Sequence, residues 1–416
     1  MNEFNYQNGQ LFAEGVSVAE LAERYGTPLY VYSRSHLQSQ YRALKAVMAP
    51  VNPLICYAVK ANTNAAVIQT FAAEGAGADV VSAGELYRAR RAGIPAGKIV
   101  FAGVGKTETE IEYALREQIL YFTVESEPEL ERISAVARRI GQTGRIAIRV
   151  NPDVDPKTHK YTSTGKKENK FGVDLERAMK AYELAARLPN LEITSLHMHL
   201  GSPIMTKDPY EEALRKVKAL CLDLKKRFAT FKHIDIGGGL GIVYRPTDKP
   251  FDLAAFAAAV LPPLQEIGLT VSMEPGRFMV GNAGILVTRV EYIKDNPFKK
   301  FVVMDAAMND LIRPALYEAY HEIKPVRETS STVMGDLVGP VCESGDFFAA
   351  NRDLPDVQPG ELLAVMSAGA YGFAMASTYN SRGRAAEVMV QGHRHEIVRT
   401  RETIEDIVRG EHIPTW

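Results

Sequence analysis

Cysteine is scarce in this chain. Cys56, Cys221 and Cys342 are three in number and far apart, which excludes a disulfide framework and fits a reducing compartment. Long apolar runs are missing too. None approaches the roughly 18 residues of a transmembrane helix, so no membrane partner is expected. Neither sign of charge dominates, since 49 Lys and Arg stand against 50 Asp and Glu. That balance excludes the basic surface of a nucleic-acid binder. The opening MNEFNYQNGQLFAEG lacks a basic n-region and an apolar h-region, so no secretory leader is expected and the chain reads as cytoplasmic. Internal repeats and low-complexity tracts are also absent. What remains is an ordinary globular composition over 416 residues, 46% hydrophobic. That is enough for a sizeable core and a length for roughly two to three domains.

Between about residues 54 and 276 two textures alternate. Short apolar, β-branched runs recur eight times: LICYAV, ADVV, KIVFAG, LYFTVE, RIAIRV, ITSLHMHL, HIDI and TVSME. Between them lie segments with helical spacing of apolar residues, such as AGELYRARRAG and DLERAMKAYELAARL, several ending in glycine. This alternation predicts βαβ units and a parallel sheet. Eight strands in this length predict a (β/α)8 TIM-like barrel over 34–278, with a doubly wound open sheet as the alternative. SRSHLQSQYRALKAVMA, ahead of the first strand, reads as a further helix. Beyond about residue 278 the alternation stops. GILVTRVEYIK, KKFVVMDAA, HEIKPVRE, STVMGDLVGPV, ELLAVMSAG, AAEVMVQG and HEIVRT read as strands. They predict a mainly β domain, sandwich or barrel-like, made of 279–416 with residues 1–33. The polar stretch 152–172, PDVDPKTHKYTSTGKKENKFG, is too long for an ordinary connection. It reads either as a surface loop or as a lid.

A barrel of this kind carries its chemistry at the C-terminal ends of its strands. In CYAVKANTN, Lys60 ends the first expected strand. A lysine there either reaches solvent past the rim or is a desolvated amine suited to Schiff-base chemistry. Ser82 ends the second strand, and Arg149 and Asn151 the fifth. HMHLGS ends the sixth and puts His197 and His199 on one face. They are core or surface histidines, a pair sharing a metal, or a ring stacked on a planar cofactor; no third ligand with metal spacing accompanies them. DIGGGLG ends the seventh, with Gly237, Gly238, Gly239 and Gly241. It is a glycine-rich turn or a cradle of N–H groups for a phosphate, in the position barrel phosphate sites favour. MEPGR ends the eighth and places Glu274 near Gly276 and Arg277, as a loop ion pair or as a partner for a protonated ring nitrogen. In the second domain, Cys342 and Glu343 sit in the polar loop VGPVCESGD, and Tyr371 in AGAYGF. Cys342 is the cysteine placed for chemistry; Cys56 and Cys221 lie on apolar patterns. Tyr371 either packs at a turn or reaches a phosphate.

A lysine amine, a phosphate cradle, a carboxylate and a stacking ring at strand ends together suit pyridoxal 5'-phosphate. The chain also resembles the barrel-type (fold type III) pyridoxal-phosphate decarboxylases, most closely the diaminopimelate decarboxylase branch. The motifs YAVKAN, DVVSAGEL, RVNPDV, KFGV, HMHLGS, DIGGGLG, EPGR, DLIRPALY, GPVCESGD and GAYG carry the resemblance, from YVYS at 30–33 to YNSRGR at 379–384. It implies Lys60 as the cofactor lysine, His199 as the stacking ring, and Gly237, Gly238 and Gly239 as the phosphate cradle. Ser202, Gly276, Arg277 and Tyr371 assist it, and Glu274 pairs with the pyridine nitrogen. It further implies Arg277, Arg313, Tyr317, Glu343 and Tyr371 as substrate contacts, and Cys342 as the proton donor, supplied by the partner subunit of a homodimer.

The implied reaction is decarboxylation of meso-diaminopimelate at its D-centre to L-lysine, the last step of lysine biosynthesis. One departure is Gly383, where the family's YNSRPR pattern has proline. Ornithine- and arginine-type relatives read Cys-Asp where this chain reads Cys342-Glu343, and carboxynorspermidine decarboxylase is a weaker alternative. Alanine racemase shares the barrel, but HMHLGS and CESGD do not match it. A non-catalytic binding relative would have lost cofactor contacts that Lys60, Glu274 and Cys342 retain here.

Overall fold

A computed structural model describes residues 3–155 and 170–416. The lid reading of 152–172 therefore falls for the most part outside the described residues. The chain divides into two compact units, one of Gln38–Ile242 with Pro250–Met279, the other of Met1–Leu37, Val243–Lys249 and Val280–Trp416.

The first unit is a closed barrel. Its strands are β1 (Leu54–Ala58), β2 (Gly77–Val80), β3 (Ile99–Phe101), β4 (Tyr121–Val124), β5 (Gly144–Asn151), β6 (Leu191–His197), β7 (His233–Asp235) and β8 (Thr270–Met273). Each pairs in parallel with its sequence neighbours, and β8 pairs with β1 to close the ring. The eight runs expected from sequence are these eight strands, and the open-sheet alternative is excluded. Parallel neighbours need a long return, and helices such as Ala65–Ala73, Ala83–Arg91, Glu108–Glu117 and Leu175–Arg187 supply it. Their starts are locally specified. Ser82 Oγ accepts from Glu85 N at 3.2 Å, and Thr107 and Glu110 form a reciprocal capping box. Strands β2, β3 and β4 are buried throughout, as both faces of a parallel barrel strand are covered. Cys56, Val100, Tyr121 and Ala147 pack as a buried cluster from β1, β3, β4 and β5.

The sequence-based boundaries shift at two positions that matter. β1 stops at Ala58, and Lys60 lies on a single 3-10 turn, Val59–Ala61. β6 stops at His197, so His199 is on the loop beyond it, not on the strand.

In the second unit a sheet runs in the order Phe347–Pro355, Thr332–Val338, Lys300–Met304, Gly284–Asp295, Leu29–Ser33, Ala386–Gln391, Arg394–Arg399. Leu362–Val365 pairs with both Gly284–Asp295 and Ile323–Pro325. All seven segments read as strands contain one. Phe347–Pro355 escaped the sequence reading. Its middle, Asn351-Arg352-Asp353, is polar and Asn351 has φ +49°. Its strand character comes from antiparallel pairing with Thr332–Val338 rather than from an apolar alternation. Among the described residues no helix is long and apolar enough to cross a membrane.

Candidate active site

Three carboxyl side chains, Asp79, Asp235 and Glu274, are at most 5% exposed and belong to β2, β7 and the residue after β8. A barrel core selected for stability alone is filled by branched apolar side chains. Burying carboxylates without compensation costs several kcal/mol each. The acids are therefore the first sign of chemistry, and each has a distinct setting.

Asp79 receives the Lys60 amine, Nζ to Oδ2 at 2.5 Å. The lysine side chain is 38% exposed while Asp79 is 0% exposed. Lys60 thus stands at the rim with its amine anchored on a buried carboxylate. The 3-10 turn after β1 aims it there, with Asn62 and Asn64 ending that turn and starting the next helix.

Glu274 Oε2 lies 3.0 Å from His197 Nε2. Its other oxygen, Oε1, is buried with no partner among the described residues. Burial, and then the Asp79 charge, push its pKa well above the usual carboxylate range, against the pull of Lys60 and Arg149. Burial likewise takes His197 down to about 4. Burial thus disfavours the charged form of both groups, and they share a hydrogen bond. Asp235 accepts from Tyr121 Oη at 2.9 Å and from Gly237 N at 2.8 Å. Burial and neighbouring Glu274 raise it from 3.8 to about 7. Donor atoms of His197, Asp235 and Glu274 lie within 4.8 Å of one another. Within the set only His197 and Glu274 are hydrogen-bonded to each other, Asp235 being held by Tyr121 and Gly237. It is His197, and not His199, that belongs to the set.

His199 stands above this network. Its Nδ1 accepts from Gly238 N at 3.2 Å, so the ring is the Nε2–H tautomer. Burial, with Arg149 and Lys60 nearby, holds it neutral, well below the ordinary histidine value. A neutral ring fixed by one edge is suited to stacking on a planar group.

The glycines are glycines for a packing reason. A Cβ on Gly237 would meet Met198 O at 2.4 Å, on Gly238 Glu274 O at 2.0 Å, and on Gly239 Gly201 O at 2.1 Å. Three strand-end loops pass too close for side chains. The N–H groups of Gly237 and Gly238 donate to Asp235 and His199. Next to this loop, Arg277 Nε donates to Ser202 Oγ at 3.2 Å. Arg277 itself opens the one-turn helix Arg277–Val280 after Gly276.

The barrel thus brings together Lys60, His199, Ser202, Gly237, Gly238, Gly239, Glu274, Gly276 and Arg277. Sequence reasoning did not assign Asp79, Tyr121 or Asp235 to the site, and it named His197 and Arg149 at strand ends without giving them a role or finding Glu125, 3.0 Å from Arg149. Asp79 and Asp235 lie inside quoted motifs, DVVSAGEL and DIGGGLG, and strand-end position was the available signal.

The remaining candidates lie in the second unit. Cys342 is exposed, while Cys56 and Cys221 are buried. Its backbone N donates to Asn380 Oδ1 at 2.8 Å. Asp346 ties the loop together, accepting from Met308 N and Val341 N, each at 2.7 Å. Glu343 hydrogen-bonds Tyr379 and raises that phenol's pKa. Tyr371 has φ +56°, an uncommon conformation for a bulky residue and a form of strain that concentrates at functional sites. Gly372 permits the turn, since a Cβ there would meet Ala368 O at 2.4 Å. Arg313 and Tyr317 bound the short helix Arg313–Tyr317. Arg313 is buried, its guanidinium 2.9 Å from His321 Nε2 and 4.9 Å from the centre of the Tyr244 ring. At Gly383 a Cβ would meet Glu402 O at 2.5 Å. The glycine there makes room for the 402 segment, whose carboxylate binds Arg384.

The residues fit pyridoxal phosphate. The orphaned Glu274 Oε1 awaits a buried polar partner, a neutral ring stands above the network, and a lysine amine is fixed at the rim. Residues 34–281 match the family described as "Pyridoxal-dependent decarboxylase, pyridoxal binding domain". The chain is 50% identical over 416 residues to the diaminopimelate decarboxylase of Aquifex aeolicus (strain VF5), covering 98% of each. It is 48% identical to that of Pseudomonas aeruginosa, covering 99% of each. The crystal structure of diaminopimelate decarboxylase from Helicobacter pylori complexed with L-lysine matches with a TM-score of 0.90 and 41% identity, over 94% of this chain and 98% of that one.

Proposed function

From the premise that the chain belongs to the pyridoxal-dependent decarboxylase family, we propose that it decarboxylates meso-diaminopimelate at the D-centre to give L-lysine and carbon dioxide. The observation that carries this is full-length similarity to diaminopimelate decarboxylases, together with a barrel rim whose buried carboxyl, neutral imidazole and anchored lysine suit the cofactor.

When bound, pyridoxal phosphate supplies the electron sink that accepts the pair left by the departing carboxylate. Lys60 would hold the cofactor through Nζ, with Asp79 orienting that amine. Glu274, kept in place by His197, would pair through its Oε1 with the cofactor's ring nitrogen. His199, fixed by Gly238 N, would cover one face of the ring and exclude water from it. Gly237, Gly238, Gly239, Ser202, Gly276 and Arg277 would hold the phosphate, and we assign Tyr371 to it as well.

We assign Arg277, Arg313, Tyr317, Glu343 and Tyr371 to the substrate. A guanidinium forks onto its distal carboxylate, and Glu343 takes the distal ammonium. Cys342 Sγ returns the proton to the α-carbon. In our reading the protein is a homodimer and Cys342 serves the partner's site, which the exposure of Cys342 in the single chain supports.

The test is incubation of the protein and pyridoxal phosphate with meso-diaminopimelate, L-ornithine or L-arginine, with products identified by mass. L-Lysine from meso-diaminopimelate alone is expected. Product only from ornithine or arginine would retain the cofactor chemistry and overturn the roles of Arg313 and Glu343.

A further inference from the structure

His321 is 0% exposed and lies eight residues after Arg313 in LIRPALYEAYHEI. Its two ring nitrogens face different partners. Nδ1 is 2.8 Å from Met366 O, and Nε2 is 2.9 Å from Arg313 Nη1. A carbonyl only accepts and a guanidinium only donates. The two contacts therefore agree on one tautomer, with the proton on Nδ1 and the lone pair of Nε2 turned to Arg313. A second proton on the ring would set N–H against N–H.

The frame holding this imidazole is rigid. Ile323–Pro325 pairs antiparallel with Leu362–Val365, and Met366 N continues the ladder to Glu322 O at 2.9 Å. That pairing sets His321 beside the Met366 carbonyl. Arg352, on Phe347–Pro355, donates to the His321 carbonyl at 2.9 Å and stacks on Tyr320 at 3.9 Å. Tyr244 completes the arrangement. Its ring lies under the Arg313 guanidinium and meets His321 edge-on, centroids 5.6 Å apart.

A carboxylate in the place of His321 would aim the arginine as well, but would cancel its charge. A neutral imidazole and an aromatic face fix direction and leave the charge intact for an anionic ligand. We propose that His321, backed by Tyr244, is a positioning residue for substrate recognition: a tautomer-locked clamp that aims Arg313 at the substrate's distal carboxylate. This rests on the reading that Arg313 contacts that carboxylate.

The test compares two ligands on the cofactor-loaded enzyme. L-Lysine retains the distal carboxylate, and 1,5-diaminopentane has the same two amines without it. Their dissociation constants are read from the change in cofactor absorbance on binding, which needs no turnover, and the ratio of the two measures recognition of the carboxylate. Arg313→Leu should abolish the preference for lysine. His321→Leu should lower it about tenfold, the scale of one hydrogen bond to a charged group. His321→Gln, which keeps an acceptor, should recover most of it. With meso-diaminopimelate the His321→Leu effect should appear in KM more than in kcat. A loss only in the Arg313 variant overturns the clamp and leaves the reading of Arg313 standing. An unchanged ratio in the Arg313 variant removes that reading, and the clamp with it. Equal weakening of both ligands by His321→Leu shows a merely structural role and also overturns the proposal. Should His321→Leu fail to fold, Tyr244→Leu against Tyr244→Phe decides. Loss of preference in the first alone supports the clamp, and equal ratios overturn it.

Discussion

The barrel rim and the loops of the β unit solve different problems. At the rim, Asp79, His197, Asp235 and Glu274 are buried on strand ends and hydrogen-bonded to groups on other strands. In the β unit, Cys342 and Glu343 are exposed on a loop, and Tyr371 sits on a strained turn. Rigid strand ends suit chemistry that needs fixed geometry. Loops tolerate sequence change and suit the choice of substrate. Changes at the buried rim network should therefore act on cofactor and turnover, and changes at Arg313, Tyr317 and Glu343 of the β unit on substrate binding, with the proton donor Cys342 the one β-unit residue that acts on turnover.

The largest test of that division is Lys60→Ala. Lysine production should fall to background and the visible absorbance of the lysine-bound cofactor should disappear. Retained lysine formation would remove Lys60 from its role. Glu274→Gln comes next. It keeps the shape and the contact to His197 but cannot supply a carboxyl to the ring nitrogen, so kcat should fall about 10²-fold, the scale of one preorganised electrostatic contact. A variant altered only in KM would break the comparison from the barrel side. Arg313→Leu probes the other side. KM for meso-diaminopimelate should rise by about tenfold or more, with kcat far less affected. A collapse of kcat at constant KM would place Arg313 with the chemistry instead.

The smallest effect is on stability. The folded chain holds Asp235 protonated up to about pH 7, against 3.8 ordinarily. The unfolded chain gives up that proton first, so stability contributed by this group falls as pH rises from about 4 to about 7, then levels off. Asp235→Asn removes the dependence while leaving an oxygen to accept from Tyr121. In cofactor-free protein the Tm difference between variant and parent should shift in the variant's favour between about pH 4 and pH 8, on top of a pH-independent cost for the acceptor lost to Gly237 N. A constant difference across that range would count against a protonated Asp235.

Much of this was legible beforehand. The eight strand runs could be read because apolar runs of strand length alternate with helical spacing, and because buried parallel strands are apolar along their whole length. Lys60 and Glu274 stood out because polar residues at the ends of such runs have no packing reason to be there. Phe347–Pro355 was not legible. Its strand character depends on a partner, Thr332–Val338, and not on its own pattern. His199 was placed on the strand because HMHL continues the alternation past His197, where the pairing with β7 ends. His321 carried no signal at all, since a single histidine in a polar stretch looks like any surface residue.

Sequence alone determined the alternation that makes a barrel, the residue types at the strand ends, and through its motifs the family and cofactor. Only the tertiary structure decided which of those groups meet. Lys60 meets Asp79 across 19 residues, His197 meets Glu274 across 77, and Tyr121 meets Asp235 across 114. Local spacing fixes which face of a strand a side chain takes. Its partner depends on which strand ends the closed ring sets side by side, and on the burial that leaves an acid with no water to bind.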